Sequence, residues 1–313
     1  MINRTSDSKT SAVIPAAPPE TAAVIEVKGL KYTYGRAEAV HDLNLTVKPG
    51  RCYGLFGRNG AGKTTTMKCL LNLLRPQGGS VRLFGLDPSR HEVEVKRRIG
   101  YVPDYVAFYP WMTVRETLDY LASFRSHWNT ETERDLLNRF RLAPDQRTGG
   151  LSKGQRTQVA LVAAICPEPE LLLLDEPTSG LDPIVRREFI ETVIGAYQEG
   201  DPGKRTILVS THLITEFEGL IDEFTIVDKG HDVLSLHADA ARDRYQKIRA
   251  RFAHEPPAVE FTGALHVRRQ GRELELIANG EGPQIMEVLS RLAPESLTSE
   301  GLTLEEVFVA TLK

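Results

Sequence analysis

The sequence has few cysteines, no long apolar run and no excess of basic residues. Its three cysteines, Cys52, Cys69 and Cys166, lie in apolar surroundings without metal-ligand spacing. This pattern argues against a disulfide framework and favours a reducing compartment. The 39 basic and 42 acidic residues leave a net charge of −3, so the composition gives no sign of a nucleic-acid-binding surface. No stretch is apolar over the length that a bilayer-spanning helix needs, and we expect no direct membrane insertion.

At 313 residues the chain has room for one large domain and a smaller appendage. Residues 1–22 are rich in Ser, Thr, Ala and Pro and lack the apolar core of a secretion signal, so we expect a disordered leader. We expect a main domain over residues 23–236, with a helical subdomain at about 104–165. Residues 237–313 are expected to form an accessory domain.

The most informative segment, residues 57–64, reads G-R-N-G-A-G-K-T and matches the phosphate-binding pattern G-x-x-x-x-G-K-[ST]. A strand-like apolar run precedes it and a helical pattern follows, so its backbone N–H groups can surround a phosphate at a helix N-terminus. Lys63 supplies a charge toward the β and γ phosphates, and the Thr64 hydroxyl can ligate Mg²⁺. The predicted nucleoside triphosphate site consists of Gly57, Arg58, Asn59, Gly60, Ala61, Gly62, Lys63, Thr64 and Thr65.

Apolar runs alternate with helical patterns along the main domain. The strand patterns lie at residues 23–27, 43–47, 51–56, 80–83, 98–102, 171–174, 206–210 and 224–227. The helical patterns lie at residues 64–74, 113–140, 153–165 and 185–197. Because wholly apolar strands are typical of parallel sheets buried on both faces, this alternation predicts an α/β fold with a mostly parallel sheet. The pattern at residues 113–140 is expected to be a helical insertion.

The composition changes after residue 236. We predict charged helical sequence there, a hairpin formed by residues 265–269 and 273–278, and a helix near residues 285–292. Together these elements predict a small accessory α+β domain.

Four leucines at residues 171–174 precede Asp175 and Glu176. At the end of a buried strand Asp175 would face the phosphate loop, where a carboxylate can hold Mg²⁺ directly or through water. Glu176 would lie next to the terminal phosphate and orient or deprotonate a water. Two acids after a strand more often begin a solvated loop, but their position about 110 residues after the phosphate loop favours the site.

Two further segments are L-S-K-G-Q at residues 151–155 and S-T-H at residues 210–212. Taken alone, the first is an ordinary helix N-cap and the second contains a structural histidine. In this order and spacing, however, the phosphate loop, L-S-K-G-Q, L-L-L-L-D-E-P and S-T-H resemble the ATP-binding-cassette (ABC) ATPases over about residues 24–230. The resemblance implies a P-loop NTPase core that binds ATP and Mg²⁺ and hydrolyses ATP.

The resemblance assigns roles to further residues. Tyr34 would stack on adenine, although a structural strand tyrosine is the alternative. The residues expected to contact the γ-phosphate held by an opposite subunit are Ser152, Gly154 and Gln155. Asp182 lies in the loop that crosses between subunits, and one phosphate loop per chain implies a symmetric homodimer. The implied catalytic residues are Glu176, His212 and Lys63, and the implied metal ligands are Thr64, Asp175 and Asp104.

Asp104 departs from the family pattern, since the family usually has glutamine at this position. Aspartate is one methylene shorter and charged, so it could ligate Mg²⁺ directly or act only through water. We expect altered turnover or coupling rather than lost binding. The aromatic stretch at residues 105–111 lies where the family forms a groove for a cytoplasmic helix of the membrane subunit. An aromatic anchor for that helix is favoured over a plug of the protein's own core.

The ending L-T-L-E-E-V-F at residues 302–308 resembles the ATPase subunits of bacterial ABC-2-type exporters. The resemblance implies a cytoplasmic subunit on the membrane's cytoplasmic face. It would drive transport, expected to be export, through a separate permease by ATP-dependent dimer closure. The alternative is a soluble ABC ATPase without a permease, with a role in repair, assembly or regulation. Two cassettes in one chain or long coiled coils, which repair and translation types carry, are not seen in this sequence.

Overall fold

The computed structural model describes residues 23–198, 205–256 and 258–312. The expected leader at residues 1–22 lies outside the described residues. Within the described ranges, no helix combines the length and apolarity that a membrane span requires.

The strands that precede the C-terminal region are β1 Ile25–Tyr34, β2 Ala37–Val47, β3 Cys52–Gly57, β4 Gly78–Leu83, β5 Ile99–Val102, β6 Leu171–Asp175, β7 Thr206–Thr211, β8 Glu223–Asp228 and β9 His231–His237. The C-terminal strands are β10 Tyr245–Arg251, β11 Ala264–Gln270, β12 Glu273–Asn279 and β13 Ser296–Gly301. The α-helices are α1 Lys63–Leu70, α2 Glu92–Arg97, α3 Val114–Ala122, α4 Thr130–Arg139, α5 Lys153–Ile165, α6 Pro183–Gln198, α7 Ile214–Phe217, α8 Ala238–Arg244, α9 Gly282–Arg291 and α10 Leu304–Leu312.

The central sheet has the strand order β5-β6-β7-β3-β8-β9. The first five strands are parallel, and β9 pairs antiparallel with β8. Every residue of β3, β6 and β7 is buried, as expected for strands covered on both faces. The predicted α/β fold with a mostly parallel sheet is therefore confirmed.

A second, antiparallel sheet has the order β2-β1-β4. Its apolar side chains share a core with α1 and with one face of β3 and β6, including Ile25, Leu43, Leu55 and Met67. This sheet and α1 therefore pack on the same face of the central sheet.

The helix after the phosphate loop ends at Leu70, earlier than the predicted end at residue 74. Asn72 takes a left-handed φ of 55°, and the N–H groups of Leu73 and Leu74 both turn back to the Lys68 carbonyl, at 2.9 and 3.2 Å. These hydrogen bonds form a C-terminal capping turn that ends the helix. The apolar pattern of the sequence continues through this turn, so it does not reveal the helix end.

The insertion at residues 113–140 consists of two helices rather than one continuous helix. Thr113 begins α3 with a capping box that includes Glu116. Asn129 begins α4, where its side-chain oxygen accepts two backbone N–H bonds of the first turn at 3.1 and 3.0 Å. Each cap accepts hydrogen bonds from unpaired N–H groups at the start of a helix. The cap at Asn129 therefore begins a second helix, which the apolar periodicity of residues 113–140 does not show.

The C-terminal region contains the predicted hairpin, β11 and β12, and the predicted helix, α9. The expectation of charged helical sequence after residue 236 was wrong in part, because β10 follows the short α8. With β13, these strands form a sheet of order β11-β12-β10-β13. One face of this sheet packs against α9 around Ile248, Leu274 and Leu276.

The last helix returns to the main core. Leu304 and Val307 of α10 and Ala241 of α8 belong to the same buried cluster as Phe217 of α7. The Leu304 N–H also donates to the Glu218 carboxylate at 2.9 Å. The domain boundary after residue 236 stays a prediction. Side chains on its two sides, such as Phe217 and Leu304, belong to one buried cluster.

Candidate nucleotide-binding site

The phosphate loop connects β3 to α1 in a conformation that requires glycine. Gly60 and Gly62 have φ values of 82° and 108°, in the left-handed region that side chains disfavour. A Cβ on Gly62 would lie 2.5 Å from the Ala39 carbonyl oxygen, and one on Gly57 would lie 2.6 Å from the Val227 carbonyl oxygen. The loop is thus held against its neighbours on two sides, with Gly62 at the N-terminus of α1.

Lys63 is buried, and its ammonium group is surrounded by oxygen atoms. It donates hydrogen bonds to the carbonyls of Gly57 at 2.7 Å and Arg58 at 3.3 Å. It also lies 2.9 Å from Oε1 of Glu176, without hydrogen-bond geometry to that oxygen. The lysine thereby brings the loop and the strand-end acid together.

Asp175 ends β6 beside the loop. Its Oδ1 accepts hydrogen bonds from the hydroxyls of Thr64 at 3.1 Å and Ser210 at 2.9 Å. Burial raises the pKa of this carboxyl, and the two hydrogen bonds oppose that effect. Its Oδ2 is buried and has no hydrogen-bond partner among the described residues. A buried carboxylate oxygen without a partner, next to a hydroxyl, is a donor set that suits a hard divalent cation.

Glu176 takes a left-handed φ of 46°, a backbone strain that tends to occur at functional sites. Its N–H donates to the Ser210 carbonyl at 2.8 Å. Its Oε2 lies 2.7 Å from Nδ1 of His212, which follows β7. Because β6 and β7 are neighbours, the two predicted catalytic side chains meet at the same sheet edge. Their direct contact was not predicted.

A cleft of about 410 Å³ lies in front of the loop. Its lining residues are Tyr34, Ala39, Asn59, Gly60, Ala61, Gly62, Lys63, Thr64, Thr65, Asp104 and Glu176. Tyr34 is about half exposed and contacts Tyr32 edge to face, with 4.8 Å between ring centroids. The structure thus places Tyr34 and Asp104 at the same cleft as the phosphate loop, although they are distant in sequence.

The L-S-K-G-Q segment begins α5. Ser152 and Gln155 form a capping box, and Gly154 lies so close to Val185 that a Cβ would be 3.1 Å from it. Asp182 caps α6 through two backbone N–H bonds of 3.1 Å. Among the described residues, those that line the cleft do not include any of these four predicted ligands.

A larger groove of about 820 Å³ lies next to the cleft. Its walls include Tyr105, Val106, Phe108, Leu121 and Phe124. Exposed rings continue beyond it, with Tyr109 packed between Trp111 and Tyr120 at centroid distances of 5.0 and 6.2 Å. The aromatic stretch thus forms an open surface in addition to its buried contacts.

Sequence reasoning missed an ion pair between the helices that follow Asp182 and His212. The Arg186 guanidinium lies 2.5 Å from Oε1 of Glu216 and donates to the Leu181 carbonyl at 3.2 Å. The available signal was a basic residue one turn after Asp182 and an acid four residues after His212. Sequence alone could not show that α6 and α7 are neighbours.

These features define a P-loop nucleoside triphosphatase: a glycine-rich phosphate loop, a parallel sheet, and an acid, Asp175, at the end of a neighbouring strand. The family model described as ABC transporter matches residues 40–179. The bacitracin transport ATP-binding protein BcrA of Bacillus licheniformis is 34% identical over 226 residues, which cover 72% of this chain and 73% of that protein. The Nod factor export ATP-binding protein I of Burkholderia orbicola is 34% identical over 217 residues, with 67% and 70% covered.

The chain is also similar to solved structures of ATP-binding cassettes. A structure of the ATP-binding subunit of an ABC transporter is 30% identical, has a TM-score of 0.63 and covers 70% of this chain and 92% of that one. A dimeric ATP-binding cassette bound to ADP and phosphate is 22% identical, with a TM-score of 0.59 over 68% of this chain and 98% of that chain, and it supports the fold alone. The chain belongs to the ABC transporter family and is an ATP-binding, ATP-hydrolysing subunit. The predicted family is confirmed.

Proposed function

We propose that this chain powers export through a separate membrane permease, as a homodimer whose subunits close on ATP. The observation that carries the proposal is the separation of two half-sites on one chain. The cleft contains Lys63, Asp104 and Glu176, whereas the capped segment at residues 151–155 lies elsewhere. A second copy in head-to-tail contact would supply that segment, which explains why each half-site is incomplete alone.

In the closed dimer, backbone N–H groups of the loop and the Lys63 ammonium hold the β and γ phosphates. Ser152 and Gly154 of the second copy contact the γ-phosphate from the other side. Thr64 and Asp175 would hold Mg²⁺, which would neutralise charge on the phosphate oxygens. The unpartnered Oδ2 of Asp175 supports this assignment.

Glu176 is proposed as the base that orients and deprotonates the attacking water. In the structure its two oxygens face Lys63 and His212, respectively. A triphosphate that attracts the Lys63 ammonium leaves one Glu176 oxygen available to water. His212 then holds the other oxygen and lies near the terminal phosphate that it is proposed to sense.

The groove lined by Tyr105, Phe108 and Phe124 is proposed to receive a helix of the permease. The relative named for Nod factor export supports export as the proposed direction. The proposal includes a position on the cytoplasmic face of the membrane. A permease encoded beside this chain and co-purified with it from membranes would support this part. Purification without any membrane protein would favour the soluble alternative.

Glu176→Gln tests the dimer and the base together. We expect ATP binding to persist and hydrolysis to fall by about a hundredfold or more, because the amide cannot accept a proton. ATP should then hold two copies together, which light scattering would detect as a doubled mass. Normal hydrolysis would refute the role of Glu176, and a monomer that hydrolyses ATP fully at any dilution would refute the shared site.

A further inference from the structure

Asp104 lies between the nucleotide cleft and the groove. It lines the cleft together with Lys63 and Glu176. Its neighbours Pro103 and Tyr105 line the groove instead. Asp104 is also exposed, so its carboxylate meets solvent and any ligand that enters the cleft.

The charge of Asp104 acts on groups around the cleft. Burial is the main reason that the pKa of Asp175 is raised, and the charges of Asp104 and Glu176 raise it further. Burial likewise dominates the raised pKa of Tyr101, to which Asp175 and then Asp104 contribute. Among the described residues that line the cleft, Lys63 is the only cation, and its ammonium lies 2.9 Å from Oε1 of Glu176.

A metal-free nucleoside triphosphate carries more negative charge than its complex with a divalent cation. A carboxylate beside the phosphates therefore repels the free nucleotide more strongly than the complex. A neutral amide at the same position would hardly distinguish the two. The buried Oδ2 of Asp175 has no hydrogen-bond partner in the described part of the chain and would be free to bind the cation. The charge of Asp104 acts on this carboxyl group.

We propose that Asp104 makes the site select the metal complex of the nucleotide over the free nucleotide. The inference rests on the proposed function, because it assumes that the cleft holds the triphosphate. Asp104 acts by charge from the edge of the cleft and does not need to be a direct ligand.

The test compares Asp104→Asn with the unchanged protein in binding to a non-hydrolysable ATP analogue. Calorimetric titrations are done with excess Mg²⁺ and with a chelator. We expect the variant to bind the metal-free analogue about tenfold more tightly and the Mg²⁺ complex equally or more weakly. The ratio of the two dissociation constants should therefore fall by about tenfold. Asp104→Glu, which restores the charge, should keep the original ratio.

The matched control is Asp145→Asn, which removes an exposed carboxylate of the same subdomain outside the cleft and should leave the ratio unchanged. A ratio unaffected by Asp104→Asn, or lowered equally by Asp104→Glu, would overturn the inference. An unchanged protein that binds neither form of the analogue would instead overturn the proposed function. The two failures are therefore distinct.

Discussion

The nucleotide cleft and the C-terminal sheet place their charges differently. At the nucleotide site, Lys63 and Asp175 are almost fully buried, and one oxygen of Asp175 has no hydrogen-bond partner among the described residues. On the C-terminal sheet, Arg249 is exposed and pairs with both Glu275 at 2.8 Å and Glu300 at 3.0 Å. Buried groups without complete partners indicate a site that awaits a ligand, whereas exposed pairs that satisfy each other are a solvated surface.

The sharpest test of this contrast is Lys63→Ala. We expect the loss of the ammonium to weaken ATP binding by about a hundredfold or more, since a buried charge that faces phosphate has no substitute. Lys68→Ala, five residues further along α1, is the control and should bind ATP normally. Calorimetric titration measures both, and an unchanged affinity of Lys63→Ala would contradict the phosphate-loop assignment.

A second test asks whether the C-terminal sheet contributes stability rather than binding. Leu276 is fully buried against α9, so Leu276→Ala should lower the free energy of unfolding by about 3 kcal/mol. Denaturant titration measures this loss, and Val267→Ala on the half-exposed edge strand is the control. Nucleotide affinity should not change, and a parallel loss of ATP binding would show that the two regions are coupled.

The smallest expected effect is that of Arg249→Ala. Because its ion pairs are exposed and screened by water, their removal should leave the denaturation midpoint unchanged within error. ATP hydrolysis should also be unchanged. A clear fall in either quantity would mean that the charged face of this sheet contacts something in the working protein.

The parts of the site that could be predicted are those that depend on residues close together in sequence. Residues 57–64, and Asp175 and Glu176 at the end of β6, are short segments whose function depends on local spacing. The sequence therefore predicts the loop and both acids. The bond from Ser210 to Asp175 depends on the register of two strands distant in sequence, which no local pattern encodes. The same reason hid the contact of His212 with Glu176.

Strands β10 and β13 escaped prediction for another reason. On β10, the charged residues Lys247 and Arg249 share one face of the strand, and the buried Ile248 and Ala250 lie on the other. A segment with this composition resembles an exposed charged helix, because the strands that pair with it are distant in sequence. The pairing of β10 with β12 places Arg249 opposite Glu275, so the two charged side chains form a cross-strand pair.

The return of α10 to the core affects any attempt to shorten the chain. Removing everything after residue 236 would delete Leu304 and Val307 and uncover Phe217, on the short helix that begins two residues after His212. Newly exposed apolar surface at that place favours aggregation and removes packing from the helix that follows His212. The C-terminal residues therefore complete the core beneath this helix, and their removal is expected to lower the solubility of the protein.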